Sequence, residues 1–120
     1  MSDIKDAEQG DPALEALTTL SEVASASATE LGAVGDELIA MKQRRRRGWS
    51  WHRILSSSSS SSLFSDLART VTKLGSASGA FRRTAARALQ KEGMQIKAIA
   101  SLFAVTRQRV SALIRPQRKT

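Results

Sequence analysis

Between Leu17 and Met41 the apolar residues return every three or four places: Leu17, Leu20, Ala24, Leu31, Val34, Leu38 and Met41, with Ser27 completing the row. That spacing keeps one stripe of a helix apolar and predicts a seam for another helix. Asp11 can cap the helix and Pro12 suits its first position, so the element is predicted over 12–47. Gly32 and Gly35 weaken a helix by up to about 1 kcal/mol each. Together with the alanines they make the seam too thin for a stable isolated coiled coil. A second stripe runs through Leu67, Val71, Leu74, Ser78, Phe81, Ala85 and Ala88, with Leu63 and Leu89 extending it. Gly75, Ser76, Ser78 and Gly79 interrupt it, so the pattern allows either one helix with a weak waist or a break. The division expected is an amphipathic helix over 63–80, followed by a supporting helix at about Phe81–Gln90.

A third pattern is shorter and sharper. Ile96, Ile99 and Phe103 mark one apolar face, with Ala100 as a small residue where two backbones can meet. Val105 leads out of a turn, and Val110, Leu113 and Ile114 form the buried side of a second short helix. Gly93 suits the end of the preceding helix, Thr106 suits an N-cap, and Pro116 stops the last helix. Two short helices around a tight turn make a helix-turn-helix. Its outward residues are Thr106, Arg107, Gln108, Arg109, Ser111, Ala112 and Arg115, a cationic face with short side chains between long ones. Such a face suits a DNA major groove. The plainer reading is a pair of amphipathic core helices with no nucleic acid involved.

The segment resembles bacterial helix-turn-helix transcription regulators over about residues 93–116, roughly a fifth of the chain. Ala100 matches the small residue of their first helix, and Val110 matches their apolar residue ten positions later. Val105-Thr106-Arg107-Gln108-Arg109-Val110-Ser111 is similar to the recognition helix of lactose-repressor-type proteins. The resemblance implies that Arg107 and Gln108, with Ala112 beside them, read base edges. It implies a phosphate contact for Thr106. The outward cationic face adds Arg109, Ser111 and Arg115 as candidate phosphate contacts, with Lys97 nearby. The basic side of the helix at about Phe81–Gln90, with Arg82, Arg83, Arg87 and Lys91, is placed either to touch DNA backbone or to stay solvated. Ala104 departs from the pattern, because such turns usually place glycine where the backbone goes left-handed. Alanine there costs about 1 kcal/mol.

The remaining segments connect these patterns. Residues 1–11 read as a disordered polar tail and 117–120 as a basic tail. Within 48–62, Trp49 and Trp51 flank Ser50, a cap for a short helix, and Ser56–Ser62 reads as a flexible linker. Gly48 to Ile54 faintly echoes Gly93 to Ile99: glycine, a polar residue two places on, isoleucine at the sixth. Both tryptophans are expected to pack on a core edge. Arg44, Arg45, Arg46 and Arg47 are expected to end the first helix, where cations suit the dipole, or to add a further DNA contact.

Charge divides the chain. Residues 1–41 carry −8 and residues 42–120 carry +16, which gives the net +8. A basic half that contains the helix-turn-helix points to phosphate contacts. There is no cysteine and only one histidine, His52, so no metal site or nucleophile–base pair can be assembled. No cofactor and no enzymatic activity are expected. The composition and the absence of a long apolar run predict a protein of the cytoplasm without a membrane partner, and the resemblance implies the bacterial nucleoid as its place there.

The expected architecture is all-α: a C-terminal three-helix DNA-binding bundle at 81–116, preceded by two long amphipathic helices. A bundle of about 35 residues rarely stands alone. The helices at 12–45 and 63–80 are therefore expected to form a hairpin or to pair two chains into a homodimer on double-stranded DNA. Two alternatives remain open: an adaptor whose acidic N-terminal helix binds a protein partner, and a nucleoid-type protein that binds DNA without reading sequence.

Overall fold

The computed structural model describes residues 10–115, and every regular element among them is helical. In chain order these are α1 (Pro12–Arg46), α2 (Trp51–Leu55), α3 (Ser58–Lys91), α4 (Ile96–Phe103) and α5 (Arg107–Ile114). The all-α expectation holds. The expected tail at 1–9, the stop at Pro116 and the basic tail at 117–120 lie outside the described residues.

The ends of α1 follow from local chemistry. The Leu14 N–H donates to Asp11 Oδ1 at 3.1 Å, satisfying a donor that the first turn leaves orphaned. At the other end, Gly48 takes φ +96° while its N–H reaches the Arg45 carbonyl and the Trp49 N–H reaches that of Arg44. This pair of bonds closes a helix end when the residue between them is left-handed.

Two compact units are formed, residues 21–76 and residues 77–115 with 10–20. In the first, Val34 and Met41 of α1, Ile54 of α2 and Leu63 of α3 make the core, with Trp49 and Leu67 packed against them. Ile54 is fully buried. The seam uses only one of the two expected rows of α1. Ser27, Val34 and Met41 are buried, whereas Leu31 and Leu38 remain 39 % and 41 % exposed. The inner face of α1 is rotated toward Glu30 and Glu37. The Thr70 hydroxyl donates to Glu30, and Arg44 pairs with Glu37 at 3.0 Å.

The serine linker is not found. Ser56 and Ser57 form the turn after α2, and Ser58–Ser62 are the first residues of α3, so five of the seven serines are helical. The Ser57 hydroxyl donates to the Ile54 carbonyl and bonds Ser60 Oγ, while the Ser57 carbonyl accepts from the Ser60 and Ser61 N–H groups. Ser60 is 1 % exposed. Hydroxyls that bond locally can start a helix, and packing beneath α2 overrides the flexible composition. Nor does α3 break at Gly75–Gly79; the helix is continuous to Lys91. The expected boundary between 63–80 and 81–116 therefore falls inside one element.

The tryptophans separate. Trp49 is half-buried, with the Arg53 guanidinium 3.6 Å from its ring centre and that of Arg44 at 5.6 Å. Trp51, expected on a core edge, is 54 % exposed and carries Arg45 over its ring at 5.1 Å.

Candidate nucleic-acid interface

The second unit is built on one small cluster. Ala86 of α3, Ile99 and Ala100 of α4, and Val110 of α5 are buried, with Leu89, Met94, Ile96, Phe103, Val105 and Ile114 packed around them. Ile99 and Val110 are fully buried. Ala100 has the small side chain that the approach of α4 and α5 needs. Leu113, expected in this core, is only half-buried; it lies in a shallow depression with Arg83, Arg109 and Ala112.

Both corners of the unit are closed by the bond pattern already seen at Gly48. At the end of α3, Gly93 has φ +96°, with its N–H on the Gln90 carbonyl and the Met94 N–H on that of Leu89. Gln95 then stands at the N-cap of α4 without a side-chain bond. At the end of α4, Ala104 takes φ 55° and ψ 44°, and it is the single non-glycine residue with positive φ among the described residues. Its N–H reaches the Ser101 carbonyl at 3.2 Å, and the Val105 N–H reaches that of Ala100 at 3.0 Å. The left-handed alanine expected at this turn is observed.

Thr106 caps α5: its hydroxyl accepts the Arg109 N–H at 3.1 Å. From there the helical period sorts the side chains. Val110 and Ile114 point to the core, so Gln108 and Ala112, four residues apart, share the opposite ridge. Both are exposed. Arg109 and Arg115, also exposed, flank the ridge, and Ser111 is half-buried at its edge. Arg107 is exposed at the first helical position.

Among the cations expected to meet phosphate, Arg83 is brought beside Arg109 and Ala112. Arg82 and Lys97 are exposed, Lys97 in the first turn of α4. Among its described residues the unit holds three carboxylates, Asp11, Glu15 and Glu92, against eight Lys and Arg side chains. Such an excess of cations attracts a polyanion over distances of about a Debye length, near 8 Å in physiological salt.

Arg87 has a different task from its basic neighbours. Its Nε donates to the Ile114 carbonyl at 3.2 Å and its guanidinium nitrogen to the Arg115 carbonyl at 3.0 Å. These are the last carbonyl of α5 and that of its C-cap residue, acceptors that a helix end leaves without intrahelical partners. One side chain of α3 thus fixes the far end of α5. Pattern reading places Arg87 only on the basic side of its own helix; the acceptors, 27 and 28 residues away, leave no local signal.

The arginine run in the other unit is partly engaged. Arg44 is half-buried between Glu37 and Trp49, which removes it from the candidates for a free phosphate contact. Arg45 donates to the Trp49 carbonyl at 3.0 Å. Arg46 and Arg47 are exposed.

Comparison of the chain with protein-family models, curated proteins and solved structures finds no match. Among the described residues no helix is long and apolar enough to cross a membrane, and no three His, Cys, Asp or Glu side chains gather as a metal site.

Proposed function

We propose that the chain is a sequence-specific DNA-binding transcription regulator whose C-terminal unit is a helix-turn-helix with α5 as the recognition helix. The observation that carries this reading is the two-sidedness of α5. Val110 is fully buried on one side, while Gln108 and Ala112 form an exposed ridge flanked by Arg109 and Arg115 on the other. Gln108 suits the paired donor and acceptor of adenine, Arg107 suits guanine, and the Ala112 methyl suits thymine. Each good paired contact contributes about 1–3 kcal/mol of discrimination. Thr106, Ser111, Arg109, Arg115, Arg82, Arg83 and Lys97 supply phosphate contacts that set register. Two chains paired through α1 and α3 present two such helices to successive major-groove faces, about 34 Å apart.

Selection of duplexes from a random pool, followed by titration on selected and random duplexes at rising salt, tests the reading. The expected result is a selected site whose preference disappears in Arg107→Ala with Gln108→Ala, while salt-sensitive general binding persists. Equal affinity for selected and random duplexes would instead favour an architectural role. A double variant that still prefers the same site would remove α5 as the reading element.

A further inference from the structure

Residues 21–76 form a helical hairpin with two contrasting faces. One holds the charges: Glu30, Glu37, Asp66 and Arg69 line a shallow groove between α1 and α3. On the other, the helical period places Leu31, Leu38 and Ile39 of α1 on the same side as Phe64 and Val71 of α3. In antiparallel helices both rows turn away from the shared seam in the same direction. None of the five is buried; exposures run from 39 % at Leu31 to 59 % at Val71. Between Ser21 and Met41, and between Ser60 and Ser76, no charged residue falls on this side of either helix.

The face is also uneven in a useful way. On α1 it carries Ala28, Gly32 and Gly35 among its leucines, and a Cβ added at either glycine would meet nothing within 4 Å. The chain therefore bears the helix-weakening cost of both glycines with no contact of its own that needs their small size. On α3 the same face carries Phe64 and Val71, with the small Ala68 between them and Gly75 beyond. A two-fold running along the hairpin sets α3 of one copy over α1 of the next, so that large and small residues of both helices meet. The face extends over about 16 residues of helix, some 24 Å, and two helix diameters, some 20 Å. About 500 Å² per partner, or 1,000 Å² in total, reaches the lower limit of a specific interface.

We infer that this face is the surface on which a second copy of the chain docks, giving a four-helix dimer that covers Leu31, Leu38, Ile39, Phe64 and Val71 of both copies, with Gly32 and Gly35 letting the helices approach. The inference deepens the dimeric part of the reading above and does not depend on whether α5 reads DNA.

Sedimentation equilibrium of the full chain from micromolar to millimolar concentration tests it. The wild-type chain is expected to dimerise. Leu38→Glu with Val71→Glu, both at exposed positions, weakens association by more than about tenfold with an unchanged far-ultraviolet spectrum. Gly32→Gln is the second variant: it raises the thermal midpoint of the dilute monomer, since glycine is the poorer helix former, yet weakens the dimer. A wild-type chain that stays monomeric throughout, or glutamate and glutamine variants that associate as the wild type does, overturns the inference. So does flotation of the wild-type monomer with neutral phosphatidylcholine vesicles, which would assign the face to lipid. Binding of a half-site duplex by the double-glutamate variant reports on α5 separately, so either idea can fail alone.

Discussion

Replacing Ala104 by glycine is expected to stabilise the C-terminal unit, although it deletes a methyl group. Ala104 sits at φ 55°, ψ 44°, where an L-residue bears a cost of about 1–2 kcal/mol from its Cβ. Glycine escapes that cost but gives the unfolded chain more freedom, which returns about 0.4–1 kcal/mol. No packing enters the balance, because Ala104 is exposed and outside the cluster of Ile99, Ala100 and Val110. The net expectation is a gain of up to about 1.6 kcal/mol, centred near 0.8 kcal/mol, and the central value raises the thermal midpoint by roughly 3–6 °C in a small unit. Urea unfolding followed by circular dichroism should show a higher midpoint with an unchanged slope. Gly93→Ala supplies the opposite sign: φ is +96° there, so the same unit should lose at least about 1 kcal/mol. An Ala104→Gly protein that melts earlier than the parent would refute a left-handed Ala104, and with it the corner that aims α5.

Three further outcomes follow from the same unit. Thr106→Ala removes the hydroxyl that accepts the Arg109 N–H and should cost about 1 kcal/mol by denaturant titration, with Thr106→Ser recovering most of it. Arg87→Met leaves the Ile114 and Arg115 carbonyls without their donors and should cost about 1–2 kcal/mol; faster amide exchange in α5 should accompany it, and unchanged exchange would count against the clamp. Ile99→Ala empties a fully buried site and should cost about 2–5 kcal/mol in thermal unfolding.

Much of this fold was legible because its signals are local. Asp11, Gly93 and Thr106 act within one helical turn, and each stands where the pattern places it. The faint echo between Gly48–Ile54 and Gly93–Ile99 has a physical basis: both glycines are left-handed corners, and both isoleucines are fully buried. A three-four spacing, by contrast, fixes a stripe but not which of two adjacent rows turns inward. Here Glu30 and Glu37 lie toward the inner edge and Leu31 and Leu38 toward the outer one: the Thr70 hydroxyl of α3 meets Glu30 across the hairpin, while Glu37 pairs with Arg44 of its own helix. The serine run departs from its expected linker for a related reason: composition says little there, while Ser57 and Ser60 are fixed by hydrogen bonds to Ile54 and to each other. In the candidate site the ridge of Gln108 and Ala112 follows from helical period alone, whereas the half-buried place of Leu113 depends on packing against α3.

The Arg87 clamp has a kinetic consequence. With both ends of α5 held, by Thr106 at the start and by Arg87 at the finish, little of the helix remains to be ordered when a ligand arrives. An α5 that meets a groove in this state docks as a rigid body. Its association rate is then governed by long-range attraction and orientation, and should fall steeply with added salt rather than level off at a slow folding step.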